Sequence, residues 1–136
     1  MCMIAIVTGC QKPSTVVTLS DAPLTLSDKA IVLKPEEPLL RTNRSLSIRI
    51  QMKETWSAEP PWKNIRMQDG TFVTIKAVLF SDKGIMYHPI IIGAGNGLDI
   101  RFNDSVPKDA KIVKILLTST YPLTALNITW FDWNPK

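Results

Sequence analysis

The chain has 136 residues, 45% of them apolar and 21% charged. That is enough to close one hydrophobic core without disulfide staples, and it excludes disorder as the main state. Its 16 Lys and Arg are interspersed with 12 acids for a net charge of +4, so there is no stripe of like charge for a phosphate backbone and nucleic acid is not the expected partner.

Both cysteines, Cys2 and Cys10, fall in the opening stretch MCMIAIVTGCQKP. The body of the chain therefore has no thiol for a disulfide or a cysteine-held metal. Residues 3–7 are apolar, Thr8 and Gly9 are small, and the polar QKPST after Cys10 reads as a tether. Val7-Thr8-Gly9-Cys10 resembles the lipobox of bacterial lipoproteins, in which an aliphatic residue and small residues precede a cysteine that becomes lipidated. The resemblance implies cleavage before Cys10, a diacylglyceryl thioether on its sulfur and attachment to a membrane through that lipid. Gln11, where an Asp would retain the protein at the inner membrane, implies the periplasmic face of a Gram-negative outer membrane. Residues 1–9 are then a truncated signal segment. They lack a Lys or Arg ahead of the apolar run and fall short of the roughly 15–30 residues of a full signal peptide, so Met1 is expected to be an internal methionine. The alternative for the same residues is a first buried strand, IAIV, with Cys10 as an inert core thiol.

Residues 10–20 hold the tether and a first strand candidate, TVVTLS, and residues 21–136 are expected to form the domain proper. AIVLK is a short strand candidate, followed by a loop at KPEEP, residues 34–38. In LSIRIQMK, Leu46, Ile48, Ile50 and Met52 alternate with Ser47, Arg49, Gln51 and Lys53, a period of two that predicts one face on the core and one in water. The proline-rich AEPPWKN, residues 58–64, is expected to be a loop. In TFVTIKAVLF, Val73, Ile75, Ala77 and Leu79 share a face. Ser81-Asp82-Lys83-Gly84 fits a type I turn closed by a left-handed glycine, with IMYHPIII returning as the hairpin partner and Pro89 marking an edge position or a bulge.

GAGNG, residues 93–97, has the wrong spacing for a dinucleotide loop and leads into LDIRFN, a strand pattern. A phosphate loop needs a helix N-terminus to aim its amides, so a hairpin turn is expected here. After the polar loop DSVPKDAK, KIVKILLTS sets Val113, Ile115 and Leu117 on one face, and LTALNITWFDW sets Leu126, Ile128 and Trp130 against Asn127, Thr129 and Phe131. No window carries an apolar helical pattern with caps, and the 10 prolines are scattered. These signals predict an all-β fold: a single antiparallel β-sandwich, immunoglobulin-like or jelly-roll, of about seven to eight strands.

Candidates for chemistry are few. His88 is the one histidine, which excludes a multi-histidine zinc site and, with no cysteine past Cys10, a Cys/His pair in the body. No nucleophile elbow or calcium-loop spacing occurs, so no catalytic residue, metal or cofactor is nominated. Asn43-Arg44-Ser45 and Asn127-Ile128-Thr129 match the glycosylation acceptor triplet, which has no meaning in a bacterial host. The remaining candidates are Trp56 and Trp62, which flank the proline-rich loop, because an exposed flat ring beside polar groups suits recognition of a peptide or a sugar. The function expected is that of a small envelope lipoprotein, not an enzyme, recognising a protein or envelope partner, as an immunity or inhibitor protein would. A carbohydrate-binding module using those tryptophans is the alternative, and a hydrolase the third.

Overall fold

The computed structural model describes residues 14–60, 62–95 and 97–134; the lipobox-like segment with Cys10 and the alternative IAIV strand lie outside them. Twelve strands follow in order: β1 (Thr15–Ser20), β2 (Leu24–Leu26), β3 (Ile31–Leu33), β4 (Ser45–Met52), β5 (Trp56–Glu59), β6 (Asn64–Met67), β7 (Phe72–Ser81), β8 (Met86–Tyr87), β9 (Ile91–Gly95), β10 (Gly97–Arg101), β11 (Ile112–Ser119) and β12 (Leu123–Trp133). They form two antiparallel sheets, one ordered β1-β12-β4-β10-β9 with β2 beside β12, the other β3-β11-β7-β6-β5 with β8 beside β7. The protein is thus an all-β sandwich. No helix among the described residues is long and apolar enough to cross a membrane.

Alternation builds the core. Leu46, Ile48 and Ile50 of β4, Leu98 and Ile100 of β10, and Ile128 and Trp130 of β12 meet Val73, Ile75, Ala77 and Leu79 of β7 and Ile115 and Leu117 of β11 across the interior. At about 25 cal/mol per Å² of apolar surface removed from water, each of the larger side chains contributes roughly 1.5–3 kcal/mol before the entropy of ordering is set against it. Gly84, at φ +80°, closes the turn after β7 with its N–H donating to the Ser81 carbonyl, as the left-handed glycine of a type I turn should.

The structure departs from strict alternation in two strands. In β11 the pairing with β7 shifts between Ile112 and Lys114, so Ile112 is buried together with Ile115 and Leu117, and Val113 leaves the inner face. In β12 the pairing with β4 shifts between Ala125 and Asn127, which puts Leu123 and Ala125 inside and leaves Leu126 40% exposed. Each extra residue flips the parity of everything after it. The four strands beyond the expected eight are short ones: β2, β6, β8, and β5, which begins at Trp56 and takes the first part of the proline-rich segment.

A polar knot fixes the end of β12. Buried Asp132 accepts the backbone N–H groups of Thr42 and Asn43 at 2.6 and 2.8 Å and the Thr42 hydroxyl at 3.0 Å. Arg41, also buried, donates to the carbonyls of Val106 and Asn43. The carboxylate thus supplies acceptors to a loop that runs inside the protein, where bare amides would be costly. Asn43 is held in this knot and is 1% exposed, so the acceptor triplet at Asn43 is not a surface site.

Candidate functional site

β7 is the longest strand of its sheet, and its two edges are treated differently. One edge is paired with β11 from Ile75 to Ser81. On the other, β6 covers residues 72–74 and β8 covers Leu79 and Phe80, so among the described residues those at 75–78 have ladder partners only in β11. Ser81 directs its N–H to Ile85 on that open side. Hydrogen-bonding direction alternates along a strand, so Leu79 and Ala77 point the same way. Continuing the β7–β8 register from Leu79 opposite Tyr87 puts Pro89 opposite Ala77, and Pro89 has no N–H to give. β8 therefore stops after two residues, and the chain crosses through residues 88–90 to join the other sheet as β9. The expected hairpin partner IMYHPIII is in this way divided between the two sheets.

Over this gap lies a cleft of about 400 Å³, with Ile75 and Ala77 of β7 and Ile92 of β9 in its floor. These three are almost fully buried. Trp62 and Ile90 stand at its walls, 43% and 48% exposed. Lys63, Lys76 and His88 complete its polar lining, with no carboxylate, hydroxyl, thiol or side-chain amide among the described lining residues. The cleft opens between the two sheets at the edge where β5 lies against β9.

Trp62 is held there against its own preference. Its φ is +67°, a left-handed conformation that costs a residue with a Cβ roughly 1–2 kcal/mol. What holds it is the main chain: the Ile92 N–H donates to the Trp62 carbonyl at 2.7 Å, so the β5–β6 turn is strapped onto the edge strand of the opposite sheet. Strain of this kind persists where the surroundings over-determine it, and it gathers at binding sites.

The two tryptophans named from sequence have different placements. Trp62 lines the cleft, whereas Trp56 is half-buried on β5, packed against the core and outside the cleft lining. His88 is exposed at the cleft rim with no acid beside it in the lining. Among the described residues no group of three or more His, Cys, Asp or Glu could hold a metal ion. Sequence reasoning missed the open edge of β7. Its one local signal was Pro89.

A second surface was also unforeseen. On the outer face of the β4 sheet, Asp99 is buried beneath Arg49 at 3.1 Å and Arg101 at 3.6 Å and accepts the Ser47 hydroxyl at 2.9 Å. Arg49 in turn lies 3.8 Å over the Phe131 ring and Arg101 5.6 Å over Trp133. Ser47 and Asp99 are thus covered by two stacked guanidinium groups that share the one Asp99 carboxylate, while Gln51 and Lys53 are exposed as expected. Asp99 on this face is internally satisfied, whereas the cleft offers apolar walls, a strand edge and positive charge with no acid among its described lining residues.

No protein-family model, no curated protein and no solved structure matches this chain. The functional reading therefore rests on the lipobox-like Val7-Thr8-Gly9-Cys10 for the tether and on the chemistry of the cleft for binding.

Proposed function

We propose that this protein is an envelope lipoprotein, tethered to the periplasmic face of the outer membrane through lipid on Cys10, whose β-sandwich recognises a protein partner through the cleft at Trp62. The observation that carries the reading is the strained, half-exposed Trp62 strapped over an apolar floor at an incompletely paired strand. A lining rich in isoleucine favours apolar side chains. The lack, among the described lining residues, of side-chain amides and carboxylates, the groups that orient sugar hydroxyls, favours a polypeptide over a glycan. Binding that blocks a partner's working surface, as an inhibitor or immunity protein does, needs no catalytic group.

The tether is tested by expressing the gene with its own upstream region in a Gram-negative host, beside Cys10→Ser. The reading expects an N-terminus at Cys10, a lipid mass on it, and fractionation with outer membrane that the variant loses. Retention of residues 1–9 and a soluble wild type would remove the envelope part of the proposal.

A further inference from the structure

The cleft has a polarity that narrows its occupant. The gap in the β7 edge is closed at one end by β8 and at the other by β6, so only residues 75–78 are available and a strand cannot run straight through. A chain end fits where a through-going segment does not. Both flanking strands run antiparallel to β7, and a segment continuing their direction would enter beside His88 and finish beside Lys63, with Lys76 adjacent. A carboxyl terminus would then meet two ammonium groups and no acid among the described lining residues. An amino terminus laid in the opposite direction would put like charges together.

On these grounds, and resting on the reading of the cleft as the binding site, we infer that it takes the carboxyl-terminal residues of a partner polypeptide. The penultimate residue pairs with Ala77, donating its N–H to the Ala77 carbonyl and accepting the Ala77 N–H where Pro89 cannot complete the ladder. Residues paired across antiparallel strands place their side chains on the same face. The penultimate side chain therefore points inward with Ala77, toward Ile75 and Ile92, and must be apolar, whereas the last side chain lies outward beside Lys76 and is favoured when acidic.

The test is calorimetric titration of an N-acetylated hexapeptide ending in Leu-Asp with a free carboxylate. It is run beside the same peptide as its C-terminal amide, the same peptide N-methylated at the penultimate residue, and decanoate. The inference expects the free acid to bind, the amide and the N-methyl peptide each to bind at least tenfold more weakly, and Lys63→Gln to weaken the free acid severalfold without moving the thermal midpoint. No binding of the free acid at millimolar concentration overturns it. Equal binding by acid and amide that is lost in Trp62→Gly also overturns it while leaving the cleft as the binding site; decanoate binding as well as the peptide would assign the cleft to an amphipathic carboxylate instead. Peptide binding unaffected by Trp62→Gly would remove the cleft itself and the reading beneath it.

Discussion

The carbonyl of Trp62 accepts the backbone N–H of Ile92 at 2.7 Å, joining a turn of one sheet to the edge strand of the other. That hydrogen bond closes one wall of the cleft and fixes the tryptophan at a φ of +67°. Because the bond is made by the main chain, it does not depend on the indole.

Trp62→Gly should therefore leave the strap in place. Glycine relieves the left-handed strain, loses the contacts of a ring that is 43% exposed, and gains flexibility in the unfolded chain. The terms nearly cancel, and the change in unfolding free energy should stay within about 1 kcal/mol. Trp130→Ala, by contrast, empties a fully buried position and should cost about 3–5 kcal/mol. Urea unfolding of the two variants makes the comparison. A loss from Trp62→Gly as large as that from Trp130→Ala would make Trp62 a structural residue.

The two buried carboxylates should differ in the same kind of assay. Asp132→Ala strips the acceptor from two backbone N–H groups in the loop at Thr42 and Asn43, and about 3 kcal/mol or more should be lost. Asp99→Ala releases Arg49 and Arg101, whose side chains keep 20% and 40% of their surface in water. The guanidinium groups rehydrate easily but the buried Ser47 hydroxyl loses its acceptor, so about 1–2 kcal/mol is expected, less than for Asp132→Ala.

Glycine at the two hairpin turns separates strain from crowding. At Gly84, φ +80°, a Cβ would meet nothing within 4 Å, and Gly84→Ala should cost about 1 kcal/mol. At Gly97, φ +94°, it would lie 2.8 Å from the Ile50 carbonyl oxygen, a backbone atom that cannot move aside. Gly97→Ala should cost at least about 1 kcal/mol more than Gly84→Ala by thermal unfolding.

Among the described residues two carboxyls are held low, Asp69 by the Thr71 backbone N–H and hydroxyl and Glu54 by Thr124, and Glu54 provides the test. Partial burial pushes the Glu54 carboxyl up, but the Thr124 backbone N–H, donating at 2.8 Å, with help from the Thr124 hydroxyl and neighbouring Lys53, outweighs it and holds the group below its usual value. A depressed folded value means that the stabilisation is present above the unfolded glutamate pKa of about 4.3 and lost as pH falls through the lower folded value. Urea titrations of Glu54→Gln and the wild type should therefore differ near neutral pH and converge toward pH 3. A gap that widens on acidification would contradict the assignment.

Much of the fold was legible because alternation is local. Leu46, Ile48 and Ile50, and the face from Val73 to Leu79, are buried as their spacing requires. Ile115, Leu117, Ile128 and Trp130 are inner as expected, but Val113 and Leu126 leave the inner face because the bulges near them are set by pairing with β7 and β4, which no local pattern encodes. Ser47 and Asp99 are covered because Arg49, Arg101 and the aromatic rings of β12 converge on them from three strands. Trp62 could be named from its loop and Pro89 from its missing donor. The cleft they share exists only because β6 and β8 stop short of each other along β7.

The most direct test of the account is site-specific photocrosslinking in the cells that produce the protein, with the probe placed at Ile90 on the cleft wall and, as control, at Val32, exposed on β3 at the far edge of that sheet. The account predicts a discrete protein adduct from position 90 that disappears when Trp62→Gly is added, and none from position 32. The same adducts from both positions, or an adduct from position 90 indifferent to Trp62, would contradict it.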